Sequence, residues 1–231
     1  MIEAGLVAAA ARNQDSWIRT HGGPIVERGG AVCVLPAVPS REATIPFPPV
    51  ATQADDIDAL ISAARDAGAN GIGCWVSGLE PLEPLGAILV SRRFEWGWQP
   101  HWMASALPLR VRPSTTGVEQ ASETRPGVWR ARAMADGKQV GEAWAHLPAG
   151  DLVAGIYDVD VSPAHRRRGL GSGLTMSVSE AVMAAGARTV TLNATPEGEQ
   201  LYRSLEFRSA GWGQTWWLHH LPGRITLGRG R

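Results

Sequence analysis

Apolar residues recur at helical or alternating spacing along most of the chain, and glycine and proline punctuate the segments. Alanine-rich periodicity predicts a helix over roughly Ile2 to Trp17, and Ala31 to Leu35 is a short apolar strand. Pro36, Pro39, Pro46, Pro48 and Pro49 then mark a stretch expected to hold no regular structure. A helix is expected from Ala54 to Ala67, with Asp55 and Asp56 in its first turn and Gly68 at its end. Gly71 to Val76 reads as a strand, Pro84 to Arg92 as a short helix, and Phe94 opens another strand region. Leu107 to Arg112 alternates as a strand, and residues 113–126 are polar enough to read as a loop. Val128 to Met134 and Val140 to Leu147 form a hairpin around Asp136-Gly137, followed by a strand from Leu152 to Val161. The last segments are a helix from Gly171 to Ala185, a strand from Thr189 to Asn193, a short helix from Gly198 to Leu205, and strands from Phe207.

The two halves repeat weakly. Aligning Phe94 with Phe207 places Ile88-Leu89 on Leu201-Tyr202, and D-A-G-A at Asp66 to Ala69 on A-A-G-A at Ala184 to Ala187. Two domains are therefore expected, 1–106 and 107–231. The differences carry information. Before its long helix the second half has an arginine- and glycine-rich loop; the first half has P-F-P-P-V-A-T-Q, in which proline supplies no backbone donor.

Composition narrows the function class without naming it. The 231 residues are 44% hydrophobic with a formal net charge of +0, so neither a nucleic-acid footprint nor a membrane partner is expected. No signal peptide is visible, and Cys33 and Cys74 read as free thiols, so a cytoplasmic protein is expected. No zinc-type spacing occurs, and no metal is expected. The ten tryptophans, among them Trp96, Trp98, Trp102, Trp212, Trp216 and Trp217, read mainly as packing residues.

The stretch D-V-D-V-S-P-A-H-R-R-R-G-L-G-S-G-L, from Asp158 to Leu174, carries the chemistry. A β-branched strand meets a proline, then three arginines, then glycines that open a helix. Backbone N–H groups at a helix start beside positive side chains make an anion cradle. No Lys-Ser/Thr pair follows the glycines, which excludes a Walker A loop; Leu174 occupies the last glycine position of a dinucleotide fingerprint. Asp158 and Asp160 on one strand face, with Glu142 on the neighbouring strand and His146 beyond it, are candidate bases.

R-R-R-G-L-G at Arg166 to Gly171 fits R-x-x-G-x-G, with V-x-P-x-x-R at Val161 to Arg166 before it and L-Y-R-S-L-E-F at Leu201 to Phe207 after it. On these motifs the segment 107–217 resembles the GNAT acyltransferase superfamily. The resemblance implies an α/β (α+β) fold, a mixed, mostly antiparallel sheet flanked by helices, in two GNAT-like halves of which the first is degenerate. It implies acetyl-CoA, or another short acyl-CoA, as co-substrate. Its diphosphate would lie on Arg166, Arg167, Arg168, Gly169, Leu170, Gly171 and Ser172. Its pantetheine arm would lie along Val159, Asp160 and Val161 at a bulge, with Asn193 and Thr195 as further contacts, and Tyr202 would be the general acid. The implied reaction is direct acyl transfer to an amine of a small-molecule acceptor, and a homodimer is one possible assembly. An acyl-CoA sensor without catalysis and an acyl-CoA decarboxylase are the alternatives. Three departures from the family pattern stand out: Thr195 occupies the usual asparagine position, Glu206 stands where a glycine usually precedes Phe207, and the helical pair that normally follows the first strand is missing, which leaves the first half to shape the acceptor site.

Overall fold

The computed structural model describes residues 2–38, 41–78, 83–111, 113–114, 116–219 and 221. In chain order the elements are α1 (Ile2–His21), β1 (Ile25–Arg28), β2 (Ala31–Val34), β3 (Glu42–Pro46), α2 (Ala54–Asp66), β4 (Gly71–Ser77), α3 (Leu85–Ser91), β5 (Glu95–Trp96) and β6 (His101–Ala106). They continue with β7 (Ser122–Arg125), β8 (Val128–Ala135), β9 (Lys138–His146), β10 (Val153–Val161), α4 (Leu170–Ala184), β11 (Thr189–Ala194), α5 (Pro196–Ser204) and β12 (Arg208–His219). The fold is mixed α/β, with mostly antiparallel sheet flanked by helices, as expected.

Where local chemistry is strong, the elements fall where the sequence places them. Asp136 (φ 50°) and Gly137 (φ 73°) make the tight turn between β8 and β9. On α2, Ile57, Leu60, Ile61 and Ala64 are buried at helical spacing. Gly186 stops α4 at φ 109°. Three expectations are corrected. The proline-rich stretch contains β3, because the four residues Glu42–Ile45 are free of proline; all four pair with β4, and Thr44 pairs with Val34 of β2. The strand expected over Leu107–Arg112 lies earlier, as β6: Pro108 has no N–H for a ladder, so regular pairing ends at Ala106. The loop expected at 113–126 holds β7, whose four residues are all exposed and so show no hydrophobic alternation.

The chain forms two compact units, Met1–Gln14 with Pro100–Trp212, and Asp15–Gln99 with Gly213–Arg231. The first unit, the α4 unit, has strand order β12-β6-β11-β10-β9-β8-β7. Its core lies between α4 and one sheet face: Ala131, Ala133, Ala143, Ala145, Ala154, Ile156, Val190 and Leu192 meet Leu174, Val178 and Val182. Small alanines on three adjacent strands let the helix approach the sheet closely. The second unit, the α2 unit, has order β1-β2-β3-β4-β12 with β5 beside β12, and a core built from Ile45, Ile57, Leu60, Ile72, Leu85 and Leu89. The units interleave in sequence: α1 and β12 each run from one to the other, and β6 belongs with the α4 unit rather than with residues 1–106. Each unit has a parallel pair joined by a crossover helix, β10-α4-β11 in one and β3-α2-β4 in the other.

Candidate active site

The two parallel pairs differ at the point that matters. In the α2 unit every residue of β3 is registered with β4, from Glu42↔Gly71 to Pro46↔Trp75. Phe47 N–H extends the ladder by donating to Trp75 O at 2.8 Å. In the α4 unit the pairing of β10 with β11 ends at Ile156↔Leu192, five residues before β10 ends. The strands part there. On its other edge β10 stays paired with β9 through one extra residue: Tyr157 faces Trp144 and Asp160 faces Glu142, three steps on β10 against two on β9. Asp158 sits at this bulge with φ 50°. The half-buried Val159 and Val161 thus lie on a stretch whose β11-side ladder is open.

The loop after β10 leads into the start of α4. Arg167 (φ 62°) and Gly169 (φ 80°) are both left-handed, and Gly169 is the residue preceding the helix. Nothing lies within 4 Å of where a Cβ would stand on Gly169. The first helical amides, those of Leu170, Gly171 and Ser172, have no carbonyl four residues back inside the helix, and among the described residues no loop or cap hydrogen bond engages them. The first internal bond runs from Gly173 N–H to Gly169 O at 3.0 Å. Three donors at the positive end of a 15-residue helix, beside the exposed Arg167 and Arg168, form the cradle.

A profile of the acetyltransferase (GNAT) domain matches residues 127–209. The C-terminal half carries a GNAT domain. Solved structures agree in fold. A GCN5-related N-acetyltransferase from Kribbella flavida is 20% identical with a TM-score of 0.65, over 95% of this chain and 97% of that one. A tandem GNAT protein from the clavulanic acid biosynthesis pathway is 16% identical with a TM-score of 0.59, over 90% and 88%. A GCN5-related N-acetyltransferase from Sphaerobacter thermophilus is 16% identical with a TM-score of 0.52, over 90% and 86%. No curated protein matches the chain in sequence. The fold of the GNAT domain is one that supports acyl transfer from CoA.

Several residues singled out from the sequence have other partners in the GNAT domain. Arg166 turns away from the cradle: its Nε donates to Val161 O at 2.8 Å, and its guanidinium lies 3.7 Å from the Asp160 carboxylate. It ties the end of β10 to the loop. Thr195 caps α5, its Oγ1 accepting from Gly198 N–H at 3.1 Å. Gly171 is small because of Leu201, whose Cδ1 would lie 2.8 Å from an added Cβ. Glu142 accepts from Arg130 Nε at 2.9 Å and from Gln139 Nε2 at 3.3 Å, and Arg130 also lies 5.0 Å over the Trp144 ring. His146 is buried with Nδ1 at 2.9 Å from Gly127 O, and burial, together with the charge of Arg125, lowers its pKa. Asp160 is exposed, and the bulge carries it, rather than Val159, to the side of Tyr157 and Glu142.

Asp158 keeps the properties of a base. Its side chain reaches solvent, yet the protein around it raises its pKa from 3.8, and the nearby Glu142 charge adds to the shift. Tyr202 is buried on α5, its ring 5.9 Å from that of Phe207, and burial pushes its pKa up to about 12. Among the described residues its hydroxyl has no hydrogen-bond partner. The neighbouring Leu201 packs on Gly171, so the same short helix borders the cradle.

The sequence reading missed Asn13, Gln14, Gly155 and Tyr157. Asn13 and Gln14 close the alanine-rich part of α1 as a buried amide pair. Asn13 Nδ2 donates to His146 O and Val153 O at 3.2 and 2.9 Å, and its Oδ1 accepts from the Tyr157 hydroxyl at 2.6 Å. Gly155 leaves the space: a Cβ there would collide with Asn13 Oδ1 and the Tyr157 hydroxyl. Burial, reinforced by the charge of Asp158, raises the Tyr157 pKa well above 10.0. Gln14 Oε1 accepts from Asn193 Nδ2 at 2.5 Å. Two adjacent amides beside Ala9–Ala11 were the available signal, because a polar pair in a small-residue helix needs buried partners.

Among the described residues no group of acidic, histidine or cysteine side chains is arranged to hold a metal ion. No described helix is long and apolar enough to cross a membrane. Cys33 and Cys74 are free and buried.

Proposed function

We propose that the GNAT domain binds a short acyl-CoA, acetyl-CoA first, and transfers the acyl group directly to an amine of a small-molecule acceptor. The observation that carries this reading is the parting of β10 from β11 at Tyr157, beside the bulge at Asp158. An extended amide-bearing arm can add to the open edge as a strand would. The residues present fit the rest of the coenzyme. Amides of Leu170, Gly171 and Ser172 would hold the diphosphate, each charge-assisted bond contributing about 1.5–3 kcal/mol. Arg167 and Arg168 add positive charge, while Arg166 holds the loop in place.

Bound acyl-CoA supplies a thioester, a carbonyl carbon already activated toward nitrogen nucleophiles. The chain's own groups do the rest. Val159 and Val161 offer main-chain N–H groups on the open edge to the carbonyl oxygen as it becomes negative. Asp158 takes a proton from the attacking amine, directly or through one water. As the C–N bond forms and the C–S bond breaks, Tyr202 gives its proton to the departing sulfur; with a pKa near 12 it is fully protonated at neutral pH. Holding both reactants on one scaffold supplies much of the remaining acceleration. The α2 unit is read as a decayed copy that binds no CoA, since its parallel pair stays closed and its loop before α2 is proline-rich.

Tyr202→Phe is expected to lower kcat by about 100-fold, within the range for loss of a general acid, while acetyl-CoA affinity by titration stays near wild type. Unchanged turnover on a panel of amines would remove the acid role. A second reading, an acyl-CoA-binding module without turnover, draws support from Glu142, whose charge is already matched by Arg130. Free-thiol release from acetyl-CoA in the presence of the amine panel separates the two.

A further inference from the structure

Asn193 is the first residue of β11 beyond its last pair with β10. Register places it on the same sheet face as Tyr157 and Gly155, opposite the face covered by α4. Its side-chain amide is half used. Nδ2 donates to Gln14 Oε1, whereas Oδ1 is buried and has no partner among the described residues. A buried carbonyl without a donor costs about 1–3 kcal/mol, and such a group in a native protein calls for an explanation. The orphan lies where the two strands part, at the opening already assigned to the coenzyme's amide-bearing arm. An N–H from that arm would satisfy it.

The direction of this amide follows that of Gln14, whose oxygen is the end turned toward Asn193. An asparagine amide can be turned over, exchanging oxygen and nitrogen, at almost no cost in shape. The partner decides which end faces which way. Gln14 is only 5% exposed, and it presents its own oxygen to Asn193. That oxygen can receive only a donor, so Nδ2 is held toward α1 and Oδ1 is left for the opening. One position earlier, Asn13 fixes the Tyr157 hydroxyl and clamps the carbonyls of His146 and Val153. The end of the α1 segment in this unit therefore acts on the opening through two consecutive amides, although neither belongs to the motif-bearing part of the chain.

We infer that Gln14 is a positioning residue for the acyl-CoA site: it orients the Asn193 carbonyl to accept an N–H from the pantetheine arm. This rests on the acyl-CoA reading above. Because Gln14 acts through Asn193, its influence should reach the arm of the coenzyme and spare the nucleotide end.

The test uses the full chain and two probes, acetyl-CoA and 3′-phospho-ADP, which carries the diphosphate but no pantetheine. Gln14→Met, close in shape but without the accepting oxygen, is expected to weaken acetyl-CoA about 3- to 10-fold, the loss of one neutral hydrogen bond, with 3′-phospho-ADP affinity unchanged. Gln14→Glu keeps an accepting oxygen and should hold acetyl-CoA near wild type. In an Asn193→Leu background Gln14→Met should cause no further loss. Equal acetyl-CoA affinity in wild type and Gln14→Met, a parallel loss with both probes, or additive losses in the double variant would each overturn the inference. If Gln14→Met does not fold, Gln14→Glu decides: weakened acetyl-CoA binding with intact 3′-phospho-ADP binding would also overturn it. A wild-type chain that bound neither probe would instead overturn the acyl-CoA reading itself.

Discussion

Asp158 has a backbone conformation, φ 50°, that costs an ordinary residue strain and suits asparagine and aspartate best. The pKa of its carboxyl is also raised by its surroundings. The bulge takes the residue out of the β9 ladder, while burial and then the charge of Glu142 raise the pKa. The raised value has consequences of definite sign. A group that holds its proton more tightly when folded stabilises the fold below its unfolded pKa, near 3.8, and that stability is lost as pH rises through the folded value. Asp158→Asn keeps the shape, tolerates the left-handed conformation and carries no charge. It should therefore melt at a higher temperature than wild type at pH 7, while kcat/KM loses the limb that rises with pH as Asp158 gives up its proton. A thermal melt and a pH–rate profile check the two halves of the prediction. The carboxylate pair Asp158/Asp160 was readable from the sequence; the bulge that separates their roles was not, since one extra residue leaves no mark on alternation. Nor could the sequence show that Arg130, opposite Trp144, reaches diagonally to Glu142, because cross-strand partners depend on register rather than on spacing along the chain.

At the scale of elements, the α4 cradle was legible because glycine position and helix polarity are local properties. Its two glycines nevertheless do different work. Gly169 is needed for its φ of 80°, in space that is open; Gly171 is needed because Leu201 packs across it. Gly169→Ala should destabilise the fold by about 1–2 kcal/mol through backbone strain and weaken acetyl-CoA, since the three following amides turn with it. Gly171→Ala should cost less in a urea titration, because the end of a leucine side chain can move. Its effect is expected on kcat, through the shift of α5 and Tyr202. Similar acetyl-CoA affinities in the two variants would contradict this division. The hairpin at Asp136-Gly137, the caps of α2 and the stop at Gly186 were equally legible, each fixed by one or two residues. The strands the sequence hid were β1, β3 and β7, which lack buried alternation or lie among prolines, so no local pattern could mark them.

For the whole molecule, the expected division at 106/107 follows the repeat, whereas the compact units interleave. The reason is physical. β11 pairs with β10 on one edge over only four residues and with β6 on the other over six, from Thr189↔Ala106 to Ala194↔His101. The strand at the opening proposed for the coenzyme thus depends for most of its ladder on residues 101–106. A repeat detected by aligning helices and motifs cannot show this, because a strand's partners are set by tertiary pairing. A fragment of residues 107–231 would leave one edge of β11 unpaired, expose Met103's neighbours in the core, and remove Asn13 from the carbonyls of His146 and Val153. It should show no cooperative unfolding transition and should aggregate, as unpaired edges do. A fragment of residues 98–231 restores β6 but not α1. It should regain secondary structure by circular dichroism, yet melt well below the full chain and bind acetyl-CoA more weakly than the Gln14→Met protein, since both amides of α1 are gone. A cooperative melt of the 107–231 fragment at the temperature of the full chain would show that neither β6 nor α1 supports the GNAT domain.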